Sequence, residues 1–108
     1  MNVTNMHRLQ WICLLGVTGP PDNPNLQGCP GAYVTVIAMA SSYYECVSRI
    51  RTDAHEIGLE VDEIVWCEPL EDRLARYDIE DYLLQHANAT RNDGATRFGV
   101  FHAWEDED

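Results

Sequence analysis

Apolar positions along the chain fall into four runs suited to strands and two stretches with helical spacing. Residues 9–17 (LQWICLLGV) and 32–40 (AYVTVIAMA) are apolar on both alternating sets, as a strand covered on both faces should be. Residues 41–57 predict the clearest helix. Ser42 and Glu45 make a capping box, and Tyr43, Val47, Ile50, Ala54 and Ile57 recur at spacings of four and three. Gly58 follows as a natural stop.

Residues 59–70 (LEVDEIVWCEPL) predict a third strand, with Leu59, Val61 and Val65 facing one way and Ile64 and Trp66 the other. Glu63 breaks strict alternation, so a bulge is expected near Asp62 or Glu63. Residues 71–88 are helical in two pieces. Leu70, Leu74 and Tyr77 mark the first; Asp78 caps a second that turns Ile79, Tyr82, Leu83 and His86 inward. Residues 89–94 read as a turn. Residues 95–104 form the last strand, with Phe98, Val100, His102 and Trp104 on one face and Phe101 and Ala103 on the other.

The expected order is β-β-α-β-α-β. It implies an α+β, two-layer sandwich of about four strands and two helices, ferredoxin-like in spirit. The strand–helix–strand unit over 32–70 should cross back onto the same sheet, adjacent or with another strand between. Between the first two strands, residues 18–31 (TGPPDNPNLQGCPG) hold four prolines and three glycines. A loop of that length is expected to be mobile or functional. The whole is one domain over residues 1–108, with a loose leader at 1–8 and an acidic tail at 105–108.

Charge changes this picture most. Eighteen acids face seven arginines and no lysine, a net charge of −11. Fourteen of the acids lie in residues 59–108, which carry only four arginines. Such a field repels phosphate backbones and anionic membranes, which argues against direct nucleic-acid or membrane binding, and it attracts basic partners. No apolar run is long enough to span a bilayer. WICLLGV at 11–17 is followed by TGPPD with no small-residue cleavage site, so it reads as a strand and not a signal peptide. The expected compartment is the cytoplasm.

Chemistry is thin. Cys13, Cys29, Cys46 and Cys67 contain no CxxC pair, so no zinc site is expected. Cys13, Cys46 and Cys67 read as small core residues, and Cys29 as a loop thiol. His7, His55, His86 and His102 are unpaired at ligand spacing; His102, among aromatics, reads as a core residue. No phosphate loop, dinucleotide fingerprint or nucleophile elbow is present. No cofactor, metal or catalytic residue is therefore expected, and the chain does not read as an enzyme. The rival enzymatic reading would use His102 in an open pocket with a carboxylate.

Tyr43 and Tyr44 cannot both face inward, and an exposed tyrosine beside acids suits a protein interface. The pattern from Ala40 to Leu70, with its acidic strand ending in EPL, and the ending FGVFHAWEDED resemble small acidic bacterial immunity proteins, the antidotes of polymorphic toxins. That resemblance implies a non-catalytic inhibitor that blocks a basic toxin through an acidic face. The long proline-rich loop departs from it. The residues expected at such a face are Asp62, Glu63, Glu68, Glu71, Asp72, Glu80 and Asp81, with Tyr44 as an anchor. Two alternatives stand beside it: a ferredoxin-like homo-oligomer or homodimer that binds a small ligand, and an inhibitor whose carboxylates mimic DNA phosphates.

Overall fold

A computed structural model describes residues 8–104 of the 108. The leader before Arg8 and the tail 105–108 lie outside the described residues. Strands β1 (Leu9–Thr18), β2 (Gly31–Ala40), β3 (Glu60–Pro69) and β4 (Arg97–Ala103) form one sheet in the order β3-β1-β2-β4. Every neighbouring pair is antiparallel. Helix α1 (Tyr43–Glu56) joins β2 to β3; α2 (Leu70–Leu74) and α3 (Asp81–Asp93) join β3 to β4. β1 lies between β2 and β3, so the β2–α1–β3 unit crosses over one strand.

The order is therefore β-β-α-β-α-α-β, with three helices where two were expected. It also departs from the β-α-β-β-α-β chain order of ferredoxin-like folds. α2 lasts barely more than a turn, and the chain leaves helix before Glu80, not Asp78, becomes the cap residue of α3. α3 then runs through the stretch expected as a turn, because Ala87 and Thr90 are buried and continue its inner face. Gly94 stops it at φ 75°, a left-handed conformation that glycine adopts without a Cβ clash.

Helices cover both faces, so the two-layer expectation is replaced by an arrangement with the sheet in the middle. On one face Cys13, Leu15, Val34 and Val36 pack with Cys46, Ile50 and Ala54 of α1. On the other, Ile12 and Ile37 pack with Leu70, Leu83 and Ala87 of α2 and α3. This explains why both alternating sets of β1 and β2 are apolar: these are the two central strands, and each has a helix-covered patch on either side. The inner stripe of α1 is Cys46, Ile50 and Ala54, at spacings of four. Tyr43 and Ile57, expected on it, are exposed at the two ends of the helix. At the first turn, the Ser42 hydroxyl accepts from the Glu45 N–H, and Glu45 reaches back to the Ser41 N–H instead of to Ser42. That bond holds the Glu45 carboxyl below its ordinary pKa.

Both edge strands are bulged, and this rearranges their faces. In β3, Leu14 pairs with Trp66 and Leu15 with Ile64, then Gly16 pairs with Glu63 and Val17 with Val61. Val65 and Asp62 are the extra residues. The bulge expected near Asp62 is present, and a second accompanies it. Each insertion turns a period of two into a period of three, so Val61, Ile64 and Cys67 all pack towards α1. Ile64 and Trp66, expected on one face, lie on opposite faces, with Trp66 packed against the α2–α3 side. β4 behaves alike. Its register shifts between Val34–Phe101 and Val36–Phe98, and Phe98 and Phe101 both pack towards α1 with stacked rings 6.2 Å apart. The expectation that they face opposite ways fails for that reason.

The proline-rich loop is held in place by its own packing. A single 3₁₀ turn at Pro24–Leu26 buries Leu26 completely. Asn23 is buried too, with its side chain capping that turn and bonding to the end of α1.

Candidate interaction surface

The acids expected at a partner face do not form one patch. Asp62 and Glu63 sit towards the start of edge strand β3, level with Gly16 and Val17 of β1. Glu71 and Asp72 occupy the first turn of α2, beyond the other end of β3. At about 3.3 Å per residue, the length of β3 keeps the two pairs well apart. Glu80 and Asp81 begin α3. All six of these acids are exposed. Their position at helix starts explains four of them, because carboxylates favour the positive end of a helix. Asp62 and Glu63 lie at a bulge on an unpaired edge, where charge discourages sheet-to-sheet pairing.

Glu68 is different. Its side chain is only 19% exposed and is clamped by Arg73 (3.1 Å) and Arg76. The Arg73 guanidinium carbon in turn stands over the rings of Trp66 (3.8 Å) and Tyr77 (4.3 Å). Glu68 is thus an internal brace that fastens α2 to β3. Arg97 of the acidic half is likewise consumed by Asp93, and Arg91 donates to Gln10. Among the described residues, Asp62, Glu63, Glu71, Asp72, Glu80 and Asp81 make no ion pair. The arginines nearest in sequence are spent elsewhere, so the acidic field is not neutralised locally.

Tyr44 is 83% exposed on the first turn of α1, and its ring meets the edge of Tyr43, which in turn meets Trp11. The end of β2 that feeds α1 is also the end at which β1 pairs with Pro69, just before α2. Tyr44 therefore shares one end of the sheet with Glu71 and Asp72, and not with Asp62 and Glu63. An open cleft of about 390 Å³ at this end includes Leu9, Met39, Leu70 and Leu74 with Arg8 and Glu71 among its lining residues.

The opposite end of the α2–α3 face is bare of helices. Trp104 lies across Gly31 and Gly16 there, with Tyr33 5.6 Å away and Glu63 beside it. His102 pairs with Tyr33 across β2–β4 and is exposed, contrary to its reading as a core residue. The β4 bulge after Phe98 placed it on this open end. His55, exposed, bonds Glu60 at 2.9 Å, and His86 meets the edge of Tyr82. Neither arrangement joins a nucleophile.

One gathering was not legible from spacing. Cys13 and Cys67 stand directly opposite in the β1–β3 ladder, with their Cα atoms 4.1 Å apart and their sulfurs joined as a disulfide. Cys46 of α1 places its Sγ 3.8 Å from each. Burial pushes the Cys46 thiol up to about 11. Cys29 is free and half-buried, as its loop position suggested. The pairing of 13 with 67 depends on a register that two bulges set, and no sequence signal carries it. No protein family, no curated protein and no solved structure matches this chain.

Proposed function

We propose that this protein is a small acidic binding module that neutralises a basic protein partner, most concretely an inhibitor of the immunity type. The observation that carries the reading is the set of exposed carboxylates without ion-pair partners along β3 and at the starts of α2 and α3. Arg73 and Arg76 are instead folded onto Glu68, and Arg97 onto Asp93. An uncompensated field of this kind speeds encounter with a cationic surface and sets its orientation. Tyr44, at the same end of the sheet as Glu71 and Asp72 but on the α1 face, supplies an exposed aromatic anchor of the kind that interfaces favour. No described helix is long and apolar enough to cross a membrane.

The test begins with capture from the cells that make the protein. The expected result is one basic protein whose affinity falls steeply between low and high salt. The variant E71Q/D72N/Y44A should lose that binding with its thermal midpoint unchanged, and E68Q should change stability first. Binding indifferent to salt and to these substitutions, or failure to capture any basic protein, overturns the reading.

A second reading, a homo-oligomer, draws on the edge strand β4. Its segment Phe98 to Phe101 is uncharged, and Val100 is 54% exposed on it. An apolar unpaired edge is a template for a second copy. Mass in solution separates the two readings: a dimer abolished by Val100→Lys favours this one, and a monomer removes it.

A further inference from the structure

We propose that Cys13, Cys46 and Cys67, in their reduced form, make a buried binding site for one soft, thiophilic metal ion of the Cu(I) class, held by three sulfurs. Three separate elements deliver these side chains to one point. β1 and β3 present Cys13 and Cys67 as a directly opposed pair facing α1. α1 sets Cys46 over that pair from the start of its inner stripe. The three donor atoms all lie within 4.8 Å of one another.

The distances suit an ion. Metal–thiolate bonds are about 2.3 Å long, so three sulfurs in a plane around one ion stand about 4 Å apart. The Cys13–Cys46 and Cys46–Cys67 separations are both 3.8 Å. Only the third edge is closed, by the Cys13–Cys67 disulfide, which is the oxidised alternative for the same sulfurs. Exchange with an external thiol reductant, which supplies two electrons and two protons and leaves as its own disulfide, reduces the bridge to two thiols and opens that edge; the ion then takes the place of the thiol protons, which pass to solvent.

Donor chemistry narrows the class of ion. The cluster holds sulfur alone; among the described residues no histidine or carboxylate completes it. Cys13 and Cys46 are 1% and 0% exposed within the apolar core, so water is a poor fourth ligand. Zinc in structural sites takes four ligands, whereas Cu(I) is satisfied by few and soft ones. Access comes through Cys67, which is half-buried on edge strand β3. Cys29, remote in the loop, is an internal control.

The test uses the full chain, kept anaerobic in excess phosphine reductant and titrated with Cu(I) against a chromophoric Cu(I) chelator. Thiolate-to-copper absorption, X-ray absorption and thermal unfolding are the readouts. The expected result is one ion per chain with three sulfur neighbours and a raised thermal midpoint. Cys29→Ser should behave as the unaltered protein. Cys46→Ser, shown to be folded by circular dichroism, should lose affinity by roughly 100-fold or more and show no thermal shift. Should Cys46→Ser not fold, Cys67→Ser carries the same expectation. Three results each overturn the proposal: no uptake by the reduced protein, uptake that survives loss of Cys46 or Cys67, and a chain that stays two hydrogens lighter in excess reductant.

Discussion

The Asn23 side-chain amide donates to the carbonyl of Ile57 at 2.9 Å and lies 3.3 Å from that of Gly58, while its oxygen accepts from the Asn25 N–H. One buried side chain thereby satisfies the C-terminal end of α1 and closes the 3₁₀ turn of the proline-rich loop. Asn23→Ala leaves those carbonyls and the Asn25 N–H without their partner, and a buried polar group left unpaired costs about 1–3 kcal/mol. The expected outcome is a lower urea midpoint with an unchanged slope, because the fold persists but loses a tie. Asn23→Asp should be no rescue, since a carboxylate cannot donate to two carbonyls.

Gly31 and Trp104 predict a second effect. A Cβ at Gly31 would stand 2.5 Å from the indole and 2.6 Å from the Val17 carbonyl oxygen. The indole can swing away, but the β1 backbone cannot. Gly31→Ala should therefore destabilise by about 1–3 kcal/mol, as overpacking does. It should also shift Trp104 fluorescence to the red. An unchanged spectrum and midpoint would mean that Trp104 does not rest on this strand.

Arg73 joins three groups at once: Glu68, the Trp66 face and the Tyr77 face. Replacing it by alanine should cost about 1–2 kcal/mol through the lost ring contacts. Arg73→Lys should recover little, because an ammonium lacks the planar guanidinium that stands over both rings. Chemical denaturation of the two variants checks the order: native most stable, lysine and alanine close together below it.

Asp93 receives both Arg97 terminal nitrogens, at 2.8 and 2.7 Å, and the Ala95 N–H. These bonds hold its carboxyl well below the ordinary carboxylate range. A folded-state pKa below the unfolded one contributes stability above the unfolded value, about 3.9, and loses it as pH falls further. Asp93→Asn should thus be less stable at neutral pH and show a shallower loss of stability below pH 4. Parallel acid-unfolding curves for the two proteins would show that the pair contributes nothing.

The metal reading and the partner reading fail separately. The thiol cluster is buried under α1, while the unpaired carboxylates lie along β3 and at the starts of α2 and α3. Neutralising Glu71 and Asp72 should leave ion uptake intact, and Cys29→Ser should leave both properties intact. Ion stoichiometry and partner binding measured on the Glu71 and Asp72 variant separate the sites, with Cys29→Ser as the control.

Patterning alone specified the central strands, the span of α1 and its Ser42 cap. Those features are local, or depend only on which residues avoid water. A both-sides-apolar pattern in residues 9–17 and 32–40 implied two covered faces, although it did not say that helices would supply both covers. Edge strands resisted the same reading. In β3 and β4 an inserted residue costs little, because one side has no neighbour to stay in step with. Alternation there gave way to spacings of three, which moved Ile64 away from Trp66 and put Phe98 beside Phe101. Glu68 looked like a sibling of Glu71 and Asp72, but two arginines fold onto it. The meeting of Cys13, Cys46 and Cys67 was beyond any reading of spacing, since it depends on β1–β3 register and on where α1 lands. Local sequence determined what must be buried and where helices begin; only the tertiary structure decided which buried groups meet, because register and helix placement are set by contacts among residues far apart in the chain.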